Sequence, residues 1–465
     1  METSGCVCYD SPTHGDSPTH GDSPTHGDSP THGCARPMSR YTVRHNIHGV
    51  GTKPDVVPEV DLSGGWAPSV WLGAPAPGGL GLPAASPSMA WMYSPRGVFL
   101  SQQEGGDDHL VVADSGNHRV MIWHGVPDTD EQPAHVVLGQ PDGETEGHAA
   151  GGRGPERGMH LPTGVLIHDG RLVVADAWHH RILIWDSVPQ AGDIAPDHIL
   201  GQSDPSSVEV NRGGECSASS LYWPFGIGMV GTAFWVADTG NRRVLGWLNG
   251  IPDPDQPADV ILGQPDPTSH AENRGGDAGA CSFRWPHDIT GREDLLLVAD
   301  AGDHRVLGWS PQPDTDRDAD LVVGQPDFIS SDEWPYGPHT NDRFRFPYAV
   351  CLDDSSGAER FAVADTANNR ILLWDGMPGG PLGRGADGTD SGTVCRGADG
   401  TDGGTVCRGA DYVLAQPDFG SNGENRWTSV QHNTLCWPYG MSMRGDTLAV
   451  SDSGNNRVML WRKSS

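Results

Sequence analysis

The residues best placed to bind a ligand each follow a proline that recurs six times along the chain. Their types differ from copy to copy: Arg96, Thr163, Phe225, His287, Tyr348 and Tyr439. If these six positions line one channel, they give it a guanidinium, an imidazole and aromatic rings, a mixture suited to a small ligand or an inserted peptide. The pair His287-Asp288 is the strongest single candidate, with a hydrogen-bonded structural histidine as the alternative.

Two further groups carry chemistry. Trp178, His179 and His180 form an aromatic and imidazole cluster in a turn, and two adjacent histidines without a third ligand are a weak metal signal. An Asn-Arg pair recurs in three connections of about 20 residues, a length that often has a function. The pairs are Asn211-Arg212, Asn273-Arg274 and Asn425-Arg426. The alternative is that these connections only pack against one another.

These candidates must be positioned by a hairpin that the sequence repeats six times. Its first copy, LVVADSGNHRVMIW at residues 110–123, has two apolar β-branched runs around a polar turn. An Asp ends the first run and an Arg opens the second in every copy: Asp114 and Arg119, Asp176 and Arg181, Asp238 and Arg243, Asp300 and Arg305, Asp365 and Arg370, Asp452 and Arg457. Because they recur in every unit, we interpret these residues as structural: the Asp accepts turn N–H groups and pairs with the Arg.

A larger unit surrounds each hairpin. A proline-containing strand precedes it, and an apolar run ending in GQPD or a close variant follows most copies, so each unit has four strands. The hairpin Asp recurs after 62, 62, 62, 65 and 87 residues, a period that suits a propeller blade. The sequence therefore predicts an all-β, six-bladed β-propeller of four-stranded antiparallel blades starting near 94, 161, 223, 285, 346 and 437. The last blade lacks its own fourth strand, so we expect an N-terminal strand at about 69–75 to complete it.

Composition and charge limit the possible domain organisation, partners and location of the protein. Residues 1–68, which contain DSPTHG four times, are expected to be a low-complexity, disordered tail, and 69–465 the propeller, with a low-complexity insert at 379–411. A net charge of −31 argues against nucleic acid as a partner. Nine scattered cysteines and the lack of a long apolar stretch favour a cytoplasmic protein without a membrane partner, and we expect a monomer.

The repeat resembles the NHL repeat. The resemblance rests on Pro-x-Gly-[Val/Ile] followed by Val-Ala-Asp-x-x-Asn-x-Arg-[Val/Ile] and covers six units across about 390 residues. It implies a six-bladed propeller that binds protein or RNA, as in tripartite-motif ubiquitin ligases, or that acts as an amidating lyase. The lyase carries zinc-binding histidines at inner-strand Pro-His positions, and only Pro286-His287 matches that motif here.

Two hypotheses follow. The first is a non-catalytic scaffold that binds a protein, peptide or ligand through its loop face and axial channel, with no cofactor. Its binding residues are Arg96, Trp178, His179, Arg212, Arg274, His287, Tyr348, Arg426 and Tyr439. The alternative is a metal-dependent lyase or lactonase-like hydrolase, with a metal in the axial channel near His287, Tyr348, Tyr439 and Asp288. The incomplete ligand set favours the scaffold, so we assign no catalytic residue and no metal ligand.

Overall fold

The computed structural model describes residues 61–73, 87–101, 108–333, 339–379 and 407–464. Within them the chain forms six sheets of four antiparallel strands. In chain order after the first strand, the blades are β2 (Gly97–Ser101), β3 (His109–Asp114), β4 (Arg119–His124) and β5 (Val136–Leu138); β6 (Val165–His168), β7 (Arg171–Asp176), β8 (Arg181–Trp185) and β9 (His198–Leu200); β10 (Pro224–Val230), β11 (Ala233–Asp238), β12 (Arg243–Trp247) and β13 (Val260–Leu262). They continue with β14 (Pro286–Arg292), β15 (Leu295–Asp300), β16 (Arg305–Trp309) and β17 (Leu321–Val323); β18 (Pro347–Asp353), β19 (Arg360–Asp365), β20 (Arg370–Asp375) and β21 (Tyr412–Leu414); and β22 (Pro438–Arg444), β23 (Thr447–Asp452) and β24 (Arg457–Lys463).

The first strand of the chain completes the last blade. β1 (Trp66–Gly73) pairs antiparallel with β24, with Trp66 opposite Lys463 and Gly73 opposite Arg457. The inner strands of neighbouring blades contact one another all the way round, from β2 through β22 and back to β2. The predicted six-bladed propeller and its N-terminal closing strand are therefore confirmed. The strand begins at Trp66, before the predicted start at Ser69, because Trp66 is buried and the pairing continues past an irregularity between Pro68 and Val70.

Among the described residues, helical structure is confined to single turns. Six 3-10 turns connect the second and third strands of the blades: η1 (Ser115–Asn117), η2 (Ala177–His179), η4 (Thr239–Asn241), η6 (Ala301–Asp303), η7 (Thr366–Asn368) and η9 (Ser453–Asn455). Three lie in the long connections between blades, η3 (Val210–Gly213), η5 (Glu272–Gly275) and η8 (Glu424–Trp427), as does α1 (His148–Gly152). Across the described ranges, no helix has the length and apolar character needed to cross a membrane.

The core lies between blades. Strand residues on both faces are buried, since each sheet is covered by a neighbour on either side. One cluster, for example, joins Val111 and Ile122 of the first blade to Val165 and Trp185 of the second. The predicted tail at 1–68 and the insert at 379–411 fall almost entirely outside the described residues.

The blades are also joined by hydrogen bonds at the hairpin turns. The residue after each 3-10 turn is left-handed, with φ between 52 and 56°. In five blades this residue is His or Asn, and its side chain accepts the N–H of the residue before the next blade's proline. The pairs are His118 with Leu161 (3.1 Å), His180 with Trp223 (3.2 Å), His304 with Phe346 (3.1 Å), Asn369 with Trp437 (2.8 Å) and Asn456 with Ser94 (2.9 Å).

The junction between the third and fourth blades differs. Arg242 occupies the left-handed position there, and a guanidinium has no lone pair with which to accept. The N–H of Trp285 turns instead to Asp300 Oδ1, at 3.0 Å. Trp285 is also the only residue of its set that is not left-handed. One substitution in a turn thus changes the backbone at the start of the next blade.

Candidate ligand-binding site

An axial cavity of about 380 Å³ runs between the six inner strands. We call the face at which these strands begin the top face. Because strands alternate in direction, the hairpin turns η1 and η2 and their equivalents, and the long connections between blades, emerge on this face as well. The other two connections within each blade, such as 186–197 between β8 and β9, start from the opposite, bottom face.

Six side chains close into a circle where the channel meets the top face, one from each blade. We call them the mouth ring. Successive members are Arg96 and Tyr439 (5.0 Å), Tyr439 and Tyr348 (4.5 Å), Tyr348 and His287 (4.3 Å), His287 and Phe225 (4.5 Å), Phe225 and Trp178 (5.9 Å), and Trp178 and Arg96 (5.6 Å), measured from ring centroids or the guanidinium carbon. The structure thus brings together five of the six residues that follow the inner-strand prolines, and adds Trp178.

Trp178 enters the ring because Thr163 is too small. Thr163 is buried, and its hydroxyl donates to the backbone carbonyls of Pro224 (3.2 Å) and Phe225 (3.0 Å) instead of reaching the axis. Trp178 comes from the hairpin turn of the same blade, at a position that is Gly or Ala in the other five. A small inner-strand residue and a large turn residue therefore exchange roles in the second blade, which sequence reasoning treated as two separate features.

Arg96 carries the charge of the ring. Its guanidinium lies near the faces of Trp178 and Tyr439, and cation–π attraction of this kind contributes about 0.5–2 kcal/mol. Within the described ranges, no hydrogen bond or ion pair joins its side chain to an acceptor, although the side chain is only partly exposed. Arg96 therefore retains its capacity to donate to a ligand.

His287 is the most buried titratable member. It is 7% exposed, and its Nδ1 has no partner within the described part of the chain. Burial, with a smaller contribution from the Arg96 charge, lowers the pKa of His287 to about 3. The ring is consequently neutral at physiological pH except for Arg96.

Asp288 belongs to the cavity below the ring. Its Oδ2 accepts the N–H of Val350 at 3.0 Å. Burial raises the pKa of Asp288 to about 7, against two backbone hydrogen bonds that lower it. Because burial favours the neutral carboxyl, Asp288 offsets the charge of the ring only in part at physiological pH.

His179 lies in a histidine cluster beside the mouth that the sequence did not reveal. The ring centroids of His118 and His160, and of His148 and His160, are both 5.1 Å apart, and His160 is 5.6 Å from His179. His179 Nδ1 is bound to Asp176 Oδ2 at 2.9 Å, whereas His118 Nδ1 accepts a backbone N–H. Over the described ranges, no three His, Cys, Asp or Glu side chains are arranged to hold a metal ion. The cluster was missed because its members are spread over 62 residues of sequence, from 118 to 179.

The arginines of the three Asn-Arg pairs, which we call the rim arginines, lie in the long connections and not in the mouth ring. Arg212 pairs with Asp255 at 2.8 Å and Arg274 with Asp316 at 2.6 Å. Each pair joins a long connection to the loop between the third and fourth strands of the next blade. Arg426 donates from Nε to the carbonyl of Ala415 at 3.0 Å. All three are left-handed, with φ of 60, 57 and 56°. Their contacts hold loops in place, and none of the described contacts connects them to the channel.

The Asp and Arg residues of the hairpins are fully buried and paired. Asp238, for example, binds Arg243 Nε at 2.8 Å through Oδ2 and the N–H of Tyr222 at 2.7 Å through Oδ1. The remaining nitrogens of Arg243 donate to loop carbonyls, at Pro267, Ser217 and Ser220. The other five Arg–Asp pairs have N–O distances of 2.6–3.1 Å.

Sequence reasoning also missed the exposed apolar residues of the top face. Large hydrophobic side chains are exposed at Tyr93, Val210, Ile329 and Trp427. Trp427 had a signal in the sequence: two of the Asn-Arg pairs are followed by Gly213 and Gly275, and the third by this Trp.

Comparisons with known proteins assign no family to this chain. Neither a protein-family model nor a curated protein matches the chain. Among solved structures, Raptor from Chaetomium thermophilum is similar at 13% identity and a TM-score of 0.33, over 77% of this chain and 23% of Raptor. A protein of unknown function from Bacteroides thetaiotaomicron shares 11% identity at a TM-score of 0.38, over 85% of this chain and 75% of its own. The computationally designed Ika8 protein shares 11% identity at a TM-score of 0.34, over 85% of this chain and 100% of its own. Similarities this remote carry no information on ligand or activity.

Proposed function

We propose that this protein is a binding module that captures a peptide segment of a partner protein on its top face. The supporting observation is where apolar side chains are exposed. Five large hydrophobic residues are exposed among those described, and four of them lie in top-face connections: Tyr93, Val210, Ile329 and Trp427. The fifth, Ile194, lies in the connection between β8 and β9, within the second blade. Exposed apolar and aromatic groups gathered on one face are typical of an interaction surface.

Trp427 is the strongest of these residues. It is 78% exposed, and its backbone is left-handed with φ of 56°, a conformation that costs an L-residue about 1–2 kcal/mol. Gly213 and Gly275 occupy the equivalent position in two other connections with φ of 74 and 82°. A Trp that is exposed to water on a strained backbone does not stabilise the folded state, and this supports a role in binding.

The propeller supplies a rigid base for such a surface. The top-face loops are fixed by buried arginines such as Arg243 and by ion pairs such as Arg212 with Asp255. Loops that are held in this way enter a complex with little loss of conformational freedom.

The test is a selection of random displayed peptides on the full chain, followed by affinity measurements on the enriched peptides. Trp427→Gly should weaken binding by about 30-fold or more, the loss typical of an interface hot spot. The Gly is compatible with the fold, because Gly already occupies this position elsewhere. Ile194→Ser is the matched control, since it removes an exposed apolar residue from a connection within a blade and should leave affinity unchanged. A selection that yields no binder, or binders equally sensitive to both substitutions, would reject the proposal.

A further inference from the structure

We infer that the mouth ring binds a carboxylate carried on an apolar frame, and that Arg96 is the residue that holds the carboxylate. The inference rests on the proposed function for its choice of the top face. It adds the chemistry of the group that is recognised. Two sources supply that chemistry: the C-terminus of a partner peptide and a small free carboxylic acid.

Arg96 has no hydrogen-bond acceptor among the described residues. The arginines of the hairpins and of the Asn-Arg pairs have acceptors: Arg243, for example, binds a carboxylate and three carbonyls, and Arg274 binds Asp316. Arg96 has two aromatic faces and no acceptor among the described residues. A partly buried guanidinium loses hydration without gaining a hydrogen bond, and an incoming anion removes that deficit.

The surroundings of Arg96 select the charge of the ligand. Arg96 is the charged member of the ring, and burial keeps Asp288, in the cavity below, partly protonated by raising its pKa to about 7. The ring therefore presents one positive charge, and the carboxyl in the cavity below it is only partly ionised at neutral pH. A single negative charge is neutralised there, whereas a dianion would leave an excess in a protein whose net charge is −31.

The geometry of the ring selects the shape. A guanidinium is a planar fork that matches the two oxygens of a carboxylate. Trp178 and Tyr439 flank it and are both partly exposed, so they offer aromatic contact to whatever carries the carboxylate. His287 lines the same cavity, and its buried Nδ1 has no partner among the described residues, so it offers a ligand a second polar group.

The experiment is calorimetric titration of the full chain with two acids and their neutral amides. The small pair is 3-phenylpropionate and 3-phenylpropionamide, and the peptide pair is N-acetyl-Gly-Gly-Phe with a free or an amidated C-terminus. At least one acid should bind about ten- to a hundredfold more tightly than its amide, as a charge-assisted hydrogen bond predicts. A preference confined to the peptide pair assigns the site to a C-terminus, and an equal preference in the small pair assigns it to free acids.

Arg96→Gln should abolish the preference for acid over amide, and Arg153→Gln, which removes an arginine already paired with Asp193, should leave it intact. Thermal unfolding of each variant establishes that it is folded. If Arg96→Gln is unfolded, Arg96→Lys replaces it: this variant keeps the charge, loses the fork and should reduce the preference.

Equal affinities of acid and amide, or a preference that survives Arg96→Gln, would overturn the inference. Its failure is separable from failure of the proposed function. Displayed peptides that need Trp427 but bind equally well with an amidated C-terminus would retain the function and refute the carboxylate. Arg96-dependent binding of 3-phenylpropionate without any selected peptide would do the reverse.

Discussion

The left-handed residue after each hairpin turn shows how much one side chain decides. His118, His180 and His304 accept a backbone N–H through Nδ1, which requires an unprotonated nitrogen. Burial is the main cause that lowers the pKa of each of the three to about 4. The blade junctions are therefore formed by neutral imidazoles, and acid should weaken them.

The sign and size of this effect can be tested at His304. In the unfolded chain this residue binds a proton below about pH 6.5, but in the folded chain only below about 4, so its contribution to stability is complete above 6.5 and is lost as pH falls towards 4. Between pH 7.5 and 4.5 the loss is about 2–3 kcal/mol. His304→Asn should remove this part of the acid sensitivity, because Asn369 and Asn456 make the same bond without titrating.

The measurement is urea unfolding of the wild type and His304→Asn at both pH values. Carboxylates titrate in the same interval in both proteins, so the difference between the two proteins isolates the histidine. An equal loss of stability in the two would refute this account.

At the scale of the element, the hairpin is a strand pair that also fixes the loops above it. The buried Arg of the third strand binds the Asp that ends the second and then donates to carbonyls in the connections on either side. The hairpin thereby fixes the position of the long top-face loops, which contain the exposed Val210 and Trp427. Because the six Asp–Arg pairs of the hairpins hold the connections through backbone carbonyls, the side chains of the connections can differ from blade to blade.

Arg243→Met should destabilise the protein by about 3–5 kcal/mol, because it leaves the buried Asp238 and three carbonyls without their donor. Arg153→Met is the control: its ion pair with Asp193 is exposed and should contribute less than about 1 kcal/mol. Chemical denaturation of both variants measures the two costs. Similar costs would show that the buried pair is not what holds the hairpin.

The sequence predicts these elements well because their pattern repeats. Six copies of one hairpin fix the strands, their order and the need for a closing strand. Repeat phase also places Arg96, His287, Tyr348 and Tyr439 at equivalent positions, and the structure places all four in one ring. Alignment of the repeats does not predict contacts between positions that are not equivalent. Trp178 fills the place of Thr163 from another strand connection, and the histidine cluster joins two blades.

At the scale of the whole molecule, closure of the ring depends on β1. Trp66, Val70, Trp71 and Leu72 are buried in the last blade, and the Trp71 ring lies 3.9 Å from the Arg457 guanidinium carbon. Burial of four such side chains contributes about 6–12 kcal/mol, at about 1.5–3 kcal/mol each. That sum is comparable to the whole stability of a typical protein.

A chain that begins at residue 74 should therefore not fold stably, whereas one that begins at Asp61 retains every described strand and should unfold at the temperature of the full chain. Adding a synthetic peptide of residues 61–75 should restore the transition of the shorter chain. Differential scanning calorimetry distinguishes the three samples. A cooperative transition of the shorter chain at the full-length temperature would show that β1 is dispensable.

The pairing of β1 with β24 also bears on how the protein is made. The bond from Ser69 to Leu460 spans 391 residues. At a synthesis rate of about 5–20 residues per second, the ribosome needs roughly 20–80 s to produce the partner of a strand that has already left the exit tunnel. During that interval an apolar strand containing Trp66, Trp71 and Leu72 has no sheet to join. The nascent chain is thus the form of this protein most in need of a chaperone.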